Sequence, residues 1–136
     1  MSKTIFISNR LPVTVQKESN GIEYKKSIGG LATGLKQYHE QSDSLWIGWT
    51  GLTEEELTDK EEKEIRRVLK EEYQCGSVFL SEEELKQYYY GFCNKTIWPL
   101  FHYFLEKVEY NQENWDYYKK VNQKFFEVSE LSLIHI

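Results

Sequence analysis

The sequence predicts an α/β domain with a parallel sheet, and three observations carry that prediction. Short β-branched and aromatic runs recur at residues 4–7 (TIFI), 45–51 (LWIGWTG) and 77–80 (SVFL), the pattern of buried strands. Segments with apolar residues at helical spacing separate and follow them, so that strands and helices alternate as a parallel sheet requires. Between the first strand and the first helix, residues 13–17 and 22–25 alternate around Asn20-Gly21. Both residues of that pair tolerate positive φ, which marks a β-hairpin inserted after the first strand.

Taken in order, the first strand stops at SNRLPV, residues 8–13, and leaves Arg10 just past its end. After the hairpin, GGLATGLKQYHE places Leu31, Leu35 and Tyr38 on one face of a glycine-opened helix. The second buried strand ends at Gly51. Residues 53–73 are charged but carry Leu57, Ile65, Val68 and Leu69 as a narrow stripe, an exposed amphipathic helix or two short ones. Cys75-Gly76 breaks that helix before the third strand. Ser81 and Glu84 have capping-box spacing and open the helix EELKQYYY. An aromatic block with Trp98, Phe101 and Tyr103, interrupted by Pro99, leads into a last helix over residues 111–126, with Trp115, Tyr118 and Phe125 at helical spacing.

Composition narrows the functions available. The chain has 136 residues, 40% hydrophobic and 15% aromatic, and fits one modest globular domain or part of one. A net charge of −5 argues against a nucleic-acid surface but leaves room for a local cluster of donors around a small anion. No apolar run reaches membrane-spanning length, and the N-terminus lacks a signal-peptide pattern. Two cysteines, Cys75 and Cys93, without a CxxC pair or an export signal read as free thiols of a cytoplasmic protein.

In an open parallel sheet, ligands bind beyond the carboxyl ends of the strands. Arg10 falls there, and its planar fork of donors suits a phosphate or carboxylate; a surface arginine paired to a glutamate would have the same spacing. Gly29-Gly30 opens a helix, whose unpaired N–H groups suit an anion, although two glycines before a helix are most often just a tight turn. GGLATG is not the GxGxxG fingerprint. In YYYGFCNKTIWPLFHYF, residues 88–104, Tyr89, Asn94, Trp98, His102 and Tyr103 combine apolar bodies with polar handles, suited to a sugar or simply to a core. His102 has no partner at metal-ligand spacing, His39 and His135 add none, and neither cysteine has a histidine placed to make it a nucleophile. Physical reasoning alone reaches an α/β domain with an anion-binding crevice.

Taken together and in this order, SNRLPVTV, GGLATGL, LWIGWTG and YYYGFCNKTIWPLFHYF resemble the N-terminus of the trehalose-6-phosphate synthase family, over nearly all of residues 3–128. The resemblance implies an incomplete N-terminal Rossmann-like domain of a GT-B glycosyltransferase. The implied reaction moves glucose with retention from a nucleotide-glucose, usually UDP-glucose, to glucose 6-phosphate, giving α,α-trehalose 6-phosphate without a metal or cofactor. Carried over residue by residue, Arg10 binds the acceptor phosphate, Tyr89 and Trp98 contact the acceptor sugar, and the loop of Gly29 and Gly30 approaches the donor diphosphate. Trp46 and Trp49 help wall the cleft. The implied mechanism is a front-face displacement in which fixed positive groups stabilise the leaving diphosphate. The family's Asp-Tyr-His segment and its diphosphate-gripping Arg and Lys do not occur in this sequence, so no catalytic residue is assigned and the fragment alone is expected to be inactive.

The last six residues, LSLIHI, carry no cap, turn signal or charge, and their codons can be written as a transposase-recognition adapter. Residues 131–136 are therefore expected to be sequencing read-through, and residues 1–130 the partial acceptor-side domain of a longer protein. A truncated sheet is expected to leave an open apolar edge. The same resemblance admits a related synthase with another phosphorylated acceptor, such as glycerol 3-phosphate, or a non-catalytic sugar-phosphate-binding homologue. A homo-oligomer and a fused phosphatase domain both fit the full-length protein.

Overall fold

The computed structural model describes residues 3–134 of the chain; His135 and Ile136, discussed above, lie outside the described residues. Three strands, β1 (Thr4–Arg10), β4 (Ser44–Thr53) and β5 (Cys75–Leu80), form a parallel sheet in the order β1-β4-β5. Thr4 pairs with Ser44, and Trp46 with Cys75. The hairpin is β2 (Val13–Glu18) and β3 (Gly21–Lys26), antiparallel, with Glu18 opposite Gly21. Its two loop residues are therefore Ser19 and Asn20, one position earlier than the Asn-Gly pair suggests.

Helices cover both faces of the sheet. On one face the hairpin, α1 (Gly30–Gln41) and α2 (Asp59–Tyr73) close over Trp46, Cys75 and Phe79, with Leu11, Val15, Ile65 and Leu69 buried between the layers. On the other, Ile47, Trp49, Val78 and Leu80 pack against Tyr88 and against Val121 and Phe125 of α5 (Gln112–Ile134). Successive strand side chains point to opposite faces, so Trp46 and Ile47 serve different cores.

Several boundaries differ from the sequence reading for identifiable reasons. Cys75 and Gly76 do not break the helix; they already belong to β5, and the break is Gln74, in the left-handed conformation that terminates α2. Gly51 does not end its strand, which runs on to Thr53. A short 3₁₀ turn, Glu54–Glu56, precedes α2, so the charged stretch is two helical pieces.

Ser81 does cap the next helix, its Oγ accepting from the Glu84 N–H at 3.1 Å. The Glu84 carboxylate does not complete the box. It faces Lys124 Nζ at 2.7 Å and Lys120 Nζ at 3.5 Å on α5 instead. After the single turn α3 (Glu82–Glu84) the chain widens into a π-helix, Leu85–Ile97, and tightens again as α4 (Trp98–Phe101), with Pro99 inside it. The Trp98 N–H reaches back five residues to the Cys93 carbonyl.

Residues 131–134, set apart in the sequence, continue α5 to Ile134, with the Ser132 hydroxyl donating to the Val128 carbonyl at 2.7 Å. Among the described residues nothing pairs with the outer edges of β1 and β5. No helix there is long and apolar enough to cross a membrane.

Candidate functional site

The pairing of β1 with β4 shifts register between Ile7 and Arg10. That irregularity breaks the strict in-and-out alternation of the strand, and Ser8, Asn9 and Arg10 all line one cavity of about 370 Å³ at its carboxyl end. Gly48 makes the bulge sterically feasible. A Cβ there would sit 2.9 Å from Leu11 N and 3.0 Å from Ser8 O. The Trp46 indole N–H donates to Ser8 Oγ at 2.8 Å, and the Ser8 hydroxyl donates to the Arg10 carbonyl at 2.7 Å, which pins the turn from inside.

The Arg10 guanidinium lies over the Trp49 ring, 5.2 Å from its centroid, and donates to Thr14 Oγ1 at 3.4 Å. Thr14 and Ser27 join their hydroxyls at 2.7 Å, and Ser27 donates to the Leu11 carbonyl at 2.9 Å. With one proton per hydroxyl, the chain runs Arg10 to Thr14 to Ser27 to Leu11. Only one of five guanidinium donors is spent on the protein, and among the described residues no carboxylate pairs with Arg10. The glutamate-paired surface arginine, the alternative that spacing allowed, is not what forms.

Across the cavity stands the amino end of α1. Its first-turn N–H groups have no side-chain cap and no acidic residue beside them, and Gly29, Gly30, Leu31 and Ala32 line the cavity. Gly29 has an extended φ of 170°, and a Cβ at Gly29 or Gly30 would meet nothing within 4 Å. The fold itself requires neither glycine; their effect is to leave the backbone bare toward the cavity.

Tyr89 closes another side. Arg10, Gly29, Gly30 and Tyr89 are thus brought together, and Trp46 joins them, while Trp49 lies beneath the guanidinium. Trp98 stands elsewhere: it is 53% exposed, stacks on His102 with centroids 4.0 Å apart, and does not line the cavity.

Sequence reasoning missed Asn9, whose Oδ1 accepts from the buried Tyr88 hydroxyl at 3.0 Å. Burial pushes the Tyr88 phenol well above the ordinary tyrosine range. It also missed Gly48 and Gly51. A glycine inside a strand signals a close backbone approach, which was the available clue.

A second cavity of similar size opens at the opposite end of the sheet, between α2 and α5 beside the free edge of β5. Two of its cations, Lys3 and Arg66, are already paired with Asp43 and Glu62. Among the described residues no group of three or more His, Cys, Asp or Glu could hold a metal ion.

Fold and cavity together define a parallel α/β domain with a crevice beyond its first strand, lined by Arg10 and by the uncapped amino end of α1. The glycosyltransferase family 20 profile matches residues 2–130, and the chain belongs to that family. It is 40% identical over 127 residues to the α,α-trehalose-phosphate synthase [UDP-forming] A of Dictyostelium discoideum, covering 93% of this chain and 17% of that protein. A trehalose-6-phosphate structure from E. coli, bound with UDP-2-fluoro glucose, superposes with a TM-score of 0.63 at 27% identity, over 93% of this chain and 24% of the other. An α,α-trehalose-phosphate synthase (UDP-forming) from Burkholderia xenovorans in complex with glucose 6-phosphate shares the fold, with a TM-score of 0.64 at 23% identity over 93% and 25% of the two chains. The chain therefore spans between about a sixth and a quarter of the length of these relatives.

Proposed function

We propose that this segment forms the acceptor side of a retaining glycosyltransferase that moves glucose from UDP-glucose to glucose 6-phosphate, giving α,α-trehalose 6-phosphate. The observation that carries the reading is the convergence of a nearly unspent Arg10 guanidinium and the bare amino end of α1 on one cavity. Two phosphate-bearing substrates need two sets of fixed donors facing a common space. Arg10 takes the acceptor phosphate and Tyr89 its sugar, while the Gly29-Gly30 backbone takes the donor diphosphate. The UDP-forming relative at 40% identity and the UDP-2-fluoro glucose bound to the E. coli neighbour support a UDP-linked glucose as the donor. The role of Trp98 against the acceptor sugar rests on the family resemblance. The groups that stabilise the leaving diphosphate belong to the part of the relatives this chain does not span, and the chemical step depends on them.

The test is UDP release by the enzyme that carries this segment, with glucose 6-phosphate or glycerol 3-phosphate as acceptor. Arg10→Lys replaces a bidentate fork by a point charge and should raise the KM for glucose 6-phosphate about tenfold or more. Preference for glycerol 3-phosphate would reassign the acceptor. Binding of sugar phosphate with no UDP release in the presence of either acceptor would make the protein a non-catalytic sugar-phosphate binder.

A further inference from the structure

Asn9 sits in the bulge where alternation fails, and it lines the cavity together with its neighbours Ser8 and Arg10. In a regular strand it would point to the opposite face of the sheet from both. Its carboxamide is not free to turn. Tyr88, only 8% exposed, reaches it from the π-helix, and its hydroxyl meets Asn9 Oδ1 at 3.0 Å. The phenol keeps its proton because burial disfavours the phenolate, so it is a standing donor. A carboxamide whose oxygen accepts must present its –NH₂ on the other side, and among the described residues no protein acceptor is bonded to that group.

We propose that Asn9 is a ligand-binding residue of this cavity, its Nδ2–H donating to an oxygen of the phosphorylated sugar that Arg10 holds, and that Tyr88 is the positioning residue that fixes the amide. The proposal rests on the reading of the cavity given above. It gives the two adjacent tyrosines separate roles: Tyr89 faces the cavity directly, while Tyr88 acts through Asn9. Widening of the helix over Leu85–Ile97 accompanies this arrangement, and π-turns recur where a helix must aim side chains at a site.

The experiment measures kcat and KM for glucose 6-phosphate in the enzyme carrying this segment, for Asn9→Ala, Asn9→Asp, Tyr88→Phe, the Asn9→Ala/Tyr88→Phe double variant and Arg10→Lys, each first shown to keep its circular dichroism spectrum. Asn9→Ala should raise KM about fivefold to twentyfold with kcat changed far less, the loss of one hydrogen bond to a charged or polar ligand. Asn9→Asp keeps the acceptor for Tyr88 but turns an anion toward the ligand, so its KM should rise further and recover as the pH falls and the new carboxyl takes up a proton. Tyr88→Phe should raise KM by less, and the double variant should be no worse than Asn9→Ala alone, because the two residues act as one unit. A purely structural role for Tyr88 would instead give additive losses. If Arg10→Lys impairs binding while both Asn9 variants bind as wild type, Asn9 is not a ligand-binding residue and the cavity reading stands. If Arg10→Lys also leaves KM unchanged, the cavity reading itself has failed.

Discussion

Arg10 is useful to a ligand only if its guanidinium is held near the cavity without being consumed, and one neighbouring glycine decides this. Gly51 has φ 103°, in the region that penalises any side chain, and a Cβ built on it would lie 2.8 Å from Arg10 Nη2. Gly51→Ala therefore combines backbone strain with displacement of the guanidinium from Trp49. The strain should cost about 1–2 kcal/mol of stability, read as a lower midpoint in urea. Glucose 6-phosphate affinity should fall with it, read by titration of the enzyme that carries the segment. A variant with unchanged midpoint and unchanged affinity would show that Gly51 merely ends a turn. In the sequence, the place of Arg10 just past the end of the first strand was legible, although spacing alone fitted a glutamate-paired surface arginine as well, whereas Gly51 read as a strand terminator. The difference is that a residue type announces chemistry, while a close approach between a glycine and a side chain some forty positions earlier does not appear in either local pattern.

At the scale of elements, the parallel strands, the hairpin and the helices were legible because apolar periodicity reports burial directly. What was not legible came from competition between partners. Ser81 and Glu84 have capping-box spacing, yet the buried carboxylate is drawn to the half-buried Lys124, since an ion pair with a second lysine nearby outcompetes a backbone N–H that water can also serve. The π-helix was hidden for a related reason. A short aromatic run fits either helical period, and the tertiary contact of Tyr88 and Phe92 with Tyr118 on α5 selects the wider one. A box that does form opens α2: the Glu61 N–H donates to Thr58 Oγ1 at 3.2 Å and the Thr58 N–H to Glu61 Oε2 at 2.8 Å. Lys17 Nζ, 3.0 Å from Glu61, ties the hairpin to the same point. Thr58→Ala should destabilise the domain by about 1 kcal/mol, measured by chemical denaturation, with Thr58→Ser close to wild type. Equal losses in both variants would locate the effect in the threonine methyl rather than in the cap.

For the molecule as a whole, the two cores on either side of the sheet share one vulnerability. Cys75 lies against α2 on one face, and Tyr88, with Cys93 beside it, lies against α5 on the other. All three are neutral acids whose proton burial protects: the Cys75 thiol is pushed up to about 12, and Cys93 and Tyr88 shift in the same direction. In the unfolded chain these groups release their protons near their ordinary values, about 8.5 for cysteine and 10 for tyrosine. Above those values the unfolded state binds fewer protons than the folded one, so stability falls as pH rises, and it continues to fall until the folded-state values are reached. Lys124 works in the same sense. Burial alone would lower its pKa, but Glu84 and Glu54 hold it above the ordinary lysine value, so its contribution is full at neutral pH and is lost as pH climbs through the raised value. Thermal melts from about pH 7 to about pH 11 should therefore show a flat region followed by a steep decline that begins near the cysteine value. Cys75→Ala should melt lower at neutral pH, because it leaves a small gap between β5 and α2, yet lose less between neutral and alkaline pH than wild type. An alkaline decline of identical depth in both proteins would mean that the Cys75 thiol does not titrate with unfolding and that the groups on the α5 side of the sheet, Cys93, Tyr88 and Lys124, carry the whole decline.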